Sequence, residues 1–130
     1  MLTIGRIAAA CAGMTVVAGC ALGGAQSAGP EPANYKAAMA AMIEGTFFDP
    51  YSLREVAISE PFPHQALMNP GWVVCLSANA KNRLGGYAGV RTMAYLMRGD
   101  EVVDKLLSAA PCDDVAMAPW PEMENRQATN

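Results

Sequence analysis

His64 is the only histidine of this 130-residue chain, and it stands in Pro61-Phe62-Pro63-His64 with no acidic neighbour placed to orient its ring. Ser52, Ser59, Ser77 and Ser108 lie in no nucleophile motif, and a serine needs a base beside it to attack. Glu55 and Glu60 do not form a catalytic pair by their spacing alone. A Cys75–His64 thiolate and base is conceivable, but Cys75 has a competing partner in Cys112. One histidine and no Cys-x-x-Cys give no metal-ligand pattern. The sequence therefore leads us to expect no enzyme, no metal and no cofactor.

The densest run of glycine and polar residues is Asn79-Ala80-Lys81-Asn82-Arg83-Leu84-Gly85-Gly86-Tyr87-Ala88-Gly89. As a candidate binding loop, Lys81, Asn82, Arg83, Gly85, Gly86 and Tyr87 would act together, with the glycines Gly85, Gly86 and Gly89 letting backbone N–H groups approach a ligand. Lys81 and Arg83 would supply charge and Tyr87 a flat platform, an arrangement suited to an anion or a peptide terminus. The same residues also describe a hairpin whose glycines take positive φ or bulge positions and whose asparagines satisfy turn backbone groups. Neither the phosphate loop GxxxxGK[ST] nor GxGxxG is present. Net charge is −3 with no basic run, which disfavours nucleic acid as a partner.

The four cysteines divide by position. Met1 to Arg6 carries one positive side chain, Ile7 to Val17 is apolar and short, and Val17-Ala18-Gly19-Cys20 follows. Charge, apolar run and small residues are the form of a secretory signal, too short for a good permanent span. With a cysteine at the cleavage point, the stretch resembles the lipobox of bacterial lipoproteins. That resemblance implies removal of residues 1–19 and acylation of Cys20, with palmitate among the chains. At ~0.8 kcal/mol per buried methylene, several chains on one thiol hold a protein stably on a bilayer. It also implies an outer-membrane position facing the periplasm, since Ala21 rather than an inner-membrane-retaining aspartate follows the cysteine. Cys11 would leave with the signal. Cys75 and Cys112 remain, and in an oxidising compartment they are expected to form a disulfide or else to lie as two buried thiols. A bridge of that span would contribute ~4 kcal/mol on the chain-entropy argument.

Asp49-Pro50-Tyr51-Ser52, Asn79-Ala80-Lys81-Asn82 and Gly85-Gly86-Tyr87-Ala88-Gly89 together resemble a pattern of short exported bacterial proteins. In that group an Asp-Pro-x-Ser turn precedes Asn-Ala-Lys-Asn, and Gly-Gly-Tyr-x-Gly lies between two strands. The resemblance covers roughly residues 49–97. It implies a fold and assigns no catalytic residue. Leu84 stands where many members carry an aromatic, a departure that bears on packing.

These segments need a scaffold, and the periodicities supply one. Residues 20–33 are Gly- and Pro-rich and read as a flexible tether after the lipid site. Asn34 is placed to cap a helix in which Tyr35, Met39, Met42 and Ile43 share a face, with Gly45 as its stop. The methionines either pack in the core or form an adaptable binding stripe. Leu53–Ser59, Trp72–Ala80 and Val90–Met97 alternate as strands, and Glu101–Leu107 is a strand or a short helix. The prolines between residues 61 and 70 argue against a strand there. After Cys112 the chain turns polar and Pro-rich, so residues 113–130 are expected to be a disordered acidic tail. Trp120 within it is either a docking motif or a residue that folds back.

The expectation is an α+β domain over residues 34–112, with one N-terminal helix on a three- to four-stranded antiparallel sheet. In function we expect a non-catalytic envelope lipoprotein, a binding or scaffold module with a protein partner. A small periplasmic enzyme or enzyme inhibitor, and a surface or exclusion factor, are the alternatives.

Overall fold

The computed structural model describes residues 27–66 and 68–126, so Cys11, Cys20 and the expected signal lie outside the described residues. Helix α1 spans Tyr35–Thr46, followed by strands β1 (Arg54–Ser59), β2 (Phe62–His64), β3 (Gly71–Lys81), β4 (Tyr87–Arg98), β5 (Glu101–Lys105) and β6 (Met117–Pro119). All pairings are antiparallel, in the order β5-β4-β3-β1-β6, with β2 also on β3. The class is α+β, as expected. The sheet has six strands rather than three or four.

The two additional strands are three residues each and contain proline. On a sheet edge a proline is tolerated where its missing N–H would face outward. β2 continues the line of β1 along β3 after the interruption at Glu60-Pro61. Ser59 bridges that interruption: its buried hydroxyl accepts the Cys75 N–H at 2.9 Å and donates to the Glu60 carbonyl at 2.9 Å.

The strand alternation sorts the core into two faces. Met39 and Ile43 of α1 pack with Val56, Ile58, Val74, Leu76, Ala78, Tyr95 and Met97 on one side of the sheet. Val73, Cys75, Ala94 and Leu96 form the other, covered by Cys112, Val115 and Met117. Cys75 and Cys112 are disulfide-bonded, with Cα atoms 5.9 Å apart. Gly71 begins β3 close against β4, and a Cβ there would meet the Met97 carbonyl oxygen at 2.7 Å.

Of the expected disordered tail, residues 113–126 instead pack on the domain beyond Cys112, and residues 127–130 lie outside the described residues. β6 pairs with Ala57–Ser59 of β1, and Trp120 and Met123 are buried in the helix-side core. The Trp120 N–H donates to Val56 O, and Asn125 N–H to Leu53 O. Between them β1 bulges, with Glu55 at φ +51°. The Glu124 carboxylate accepts the Val56 N–H there, at 2.8 Å. Composition missed this because the segment is held by two apolar anchors and backbone pairing, with polar residues outside.

The end of the segment read as a flexible tether is likewise packed. Pro32 is buried, and the Trp72 indole N–H donates to the Gly29 carbonyl at 3.2 Å. Asn34 stands at the helix start but makes no side-chain cap. Instead its N–H and its amide both donate to the Asp100 carboxylate, at 2.7 and 3.0 Å. α1 passes Gly45 by one residue, and Thr46 closes it by donating to Met42 O at 2.7 Å.

Candidate functional site

The β3–β4 connection is a tight hairpin whose asparagines, Asn79 and Asn82, bond its own backbone. Asn82 Oδ1 accepts the N–H groups of Leu84 and Gly86, and Asn82 and Gly86 also pair through backbone. Gly85 has φ +80° and Gly89 φ +91°, the left-handed region that favours glycine. Gly89 lies where the β3–β4 register shifts, and its N–H donates to Asn79 Oδ1.

Lys81 and Tyr87 face each other across the hairpin neck and reach back to the Asp49–Ser52 turn. The Tyr87 hydroxyl donates to the Ser52 carbonyl at 2.9 Å. Arg54 lies over the Tyr87 ring, its guanidinium carbon 4.0 Å from the centroid, with Lys81 Nζ at 5.6 Å. Lys81 Nζ is 3.7 Å from Asp49 Oδ2 and 3.4 Å from Ser52 Oγ. The Ser52 hydroxyl and then the Lys81 charge hold the Asp49 carboxyl below its ordinary range. Ser52 is buried, and its hydroxyl contacts both Asp49 and Lys81. Arg54 belongs to this cluster although the sequence did not single it out, whereas Ser52, Lys81 and Tyr87 were each named from the sequence. The signal lay in the Asp49–Ser52 and Gly85–Tyr87 segments, which the fold brings into contact.

At the hairpin tip Arg83, Leu84 and Gly85 face solvent, Leu84 with 95% of its surface exposed. Of the six residues named for recognition, Lys81, Asn82, Gly85, Gly86 and Tyr87 are engaged within the fold, Gly85 through its N–H donated to the Asn82 carbonyl at 3.0 Å. Arg83 at the exposed tip has no hydrogen-bonding or ionic partner among the described residues.

His64 ends β2 opposite Gly71 and is in no ion pair among the described residues. Among the described residues no group of three or more His, Cys, Asp or Glu side chains converges, and no helix is long and apolar enough to cross a membrane.

A second concavity lies elsewhere. A groove of about 460 Å³ opens between the end of α1 and strands β4 and β5, lined by Met42, Phe47, Met93, Tyr95, Val102 and Lys105 among others. Tyr95 and Lys105 are register partners, so their side chains leave the sheet on the same face. Sequence reasoning placed Met93 and Tyr95 together by alternation, but left Lys105 undecided because β5 is too short to show its period. No family model, no curated protein and no solved structure matches this chain.

Proposed function

We propose that the protein is a non-catalytic lipoprotein of the bacterial envelope, a binding or scaffold module held on a membrane by acyl chains at Cys20. The carrying observation is the combination of an anchor signal with an oxidised domain. Val17-Ala18-Gly19-Cys20 stands shortly before the first packed residues, and the domain that follows is closed by Cys75–Cys112. Disulfides persist in oxidising compartments, which agrees with export.

The fold gives the module a polarity. The N-terminal segment joins the domain at the β4–β5 turn, through Asn34 and Asp100. The β3–β4 hairpin tip lies at the other end of β4. Twelve residues at ~3.3 Å each put the two turns ~35–40 Å apart. An anchor at Cys20 would leave Arg83 and Leu84 at the far end, directed towards a protein partner rather than the bilayer. The absence of aspartate after Cys20 favours the outer membrane, facing the periplasm.

The test is metabolic labelling with a clickable palmitate analogue, followed by separation of inner and outer membranes. The wild-type chain is expected to take label and to float with outer membrane, and Cys20→Ser to lose both. An unlabelled wild-type chain in the soluble fraction refutes the proposal.

A further inference from the structure

From the groove between α1 and the β4–β5 pair, we infer a binding site for a carboxylate amphiphile of the long-chain fatty-acid class, with its head at Tyr95 and Lys105 and its alkyl chain along Met42, Phe47, Met93 and Val102. The volume, about 460 Å³, falls in the range of small-ligand sites, which are apolar with a few placed polar groups. Two methionines give an adaptable apolar wall, and Met42 belongs to the methionine stripe legible on α1.

The polar groups select the head. Tyr95 is 5% exposed, and among the described residues its hydroxyl donates only to the Met93 sulfur, at 3.5 Å. A thioether is a weak acceptor, so the hydroxyl remains available to a better one. Burial raises the Tyr95 pKa, which keeps this donor protonated. Lys105 leaves the sheet beside it and has no carboxylate within ion-pair distance among the described residues. Asp104 also borders the groove, but it is the register partner of Leu96 on the other face, and its carboxylate accepts the Lys105 backbone N–H at 2.8 Å. A hydroxyl donor and an unpaired ammonium on one face complement a carboxylate, and the apolar wall complements an alkyl chain. The outer edge of β5 is less suited to an added peptide strand. It bulges at the Leu96–Met97 register, and Leu106 N–H points inward to Ala94 O, so the Asp104 carboxylate takes the outward-facing Lys105 N–H.

This site does not depend on acylation of Cys20, so its test and that of the anchor can fail separately. The full chain, in vesicles or in solution as it fractionates, is exposed to a diazirine-bearing palmitic acid, photolysed and mapped by mass spectrometry. A parallel arm uses the methyl ester and another uses a phosphatidylcholine carrying the same chain. Expected are adducts on the peptides holding Met42, Phe47 and Met93 with the free acid. Lys105→Glu, at an exposed position, should reduce them about tenfold, as for loss of one charge-assisted hydrogen bond. Thr46→Trp should block them by filling the groove from its rim. Equal labelling by ester, phospholipid and acid overturns the carboxylate assignment. Adducts elsewhere, indifference to both variants, or a copurified polypeptide protecting the groove overturns the site.

Discussion

The Tyr87 hydroxyl donates to the Ser52 carbonyl at 2.9 Å, joining residues 35 positions apart. This bond closes the turn before β1 onto the neck of the β3–β4 hairpin, and Arg54 covers the ring that carries it. The distinctive polar segments of the sequence thus meet in one place, where they act on each other. Their evident work is to fix where the hairpin points.

Tyr87→Phe should therefore lower stability by about 1 kcal/mol, the usual net value of one hydrogen bond. Tyr87→Ala also removes the platform under Arg54 and should cost roughly 2 kcal/mol or more. Arg83→Ala at the tip should stay within ~0.5 kcal/mol of wild type. Urea unfolding midpoints measure all three. If Tyr87→Ala unfolds at the wild-type midpoint, the hairpin does not depend on its contact with Ser52.

How far this was legible follows from period and length. β3 and β4 are long and alternate cleanly, so their two faces could be read residue by residue, down to Tyr95 and Met97 beneath the helix. The helix face of Met39 and Ile43 was equally plain. β2 and β6 are three residues long and carry Pro63 and Pro119, so neither period nor composition marks them. They exist because a neighbouring strand supplies the partners, which is a tertiary cause. Asn34 illustrates the same limit: a good local cap was available, yet the Asp100 carboxylate claimed both of its donors. The Lys81–Asp49 and Tyr87–Ser52 contacts required the two segments to be brought together, which no local pattern foretells.

Ser59 is buried for a reason that a substitution can expose. Its hydroxyl is the acceptor for the Cys75 N–H where the chain passes from β1 to β2. Ser59→Ala leaves that amide orphaned in the sheet and should cost ~1–3 kcal/mol. Amide exchange at Cys75, followed by NMR, should accelerate more than at Val73 and Leu96. Unchanged exchange at Cys75 would show that another acceptor replaces the hydroxyl.

Asp100 links the β4–β5 turn to the start of α1. The Asn34 N–H and amide hold its carboxyl below the ordinary 3.8, and Asp49 is lowered by Ser52 and Lys81. A carboxylate with a lowered folded-state pKa contributes stability that is complete above the ordinary value and disappears as pH falls through the folded value. Melting temperature should therefore drop in the acid range below about pH 4. Asp100→Asn should be less stable than wild type at pH 7, and the gap should narrow towards about pH 2.5. A gap independent of pH would mean that the Asn34 contacts do not favour the charged form.

Cys75 and Cys112 carry the last expectation, because the bond fixes the C-terminal cover to the sheet face opposite the helix. Across a separation of 37 residues the chain-entropy argument gives ~4 kcal/mol. The Cys75→Ala, Cys112→Ala double variant should therefore melt at least 10 °C lower, since ~1 kcal/mol shifts a domain of this size by about 4–8 °C. The loss should concentrate in the cover. Limited proteolysis should cut between Leu106 and Met117 before the β3–β4 hairpin, since that stretch would be held by apolar contacts such as those of Val115 and by the β6–β1 pairing at its Met117 end. A double variant that melts with the wild type, uncut in that stretch, would show that packing alone holds the cover.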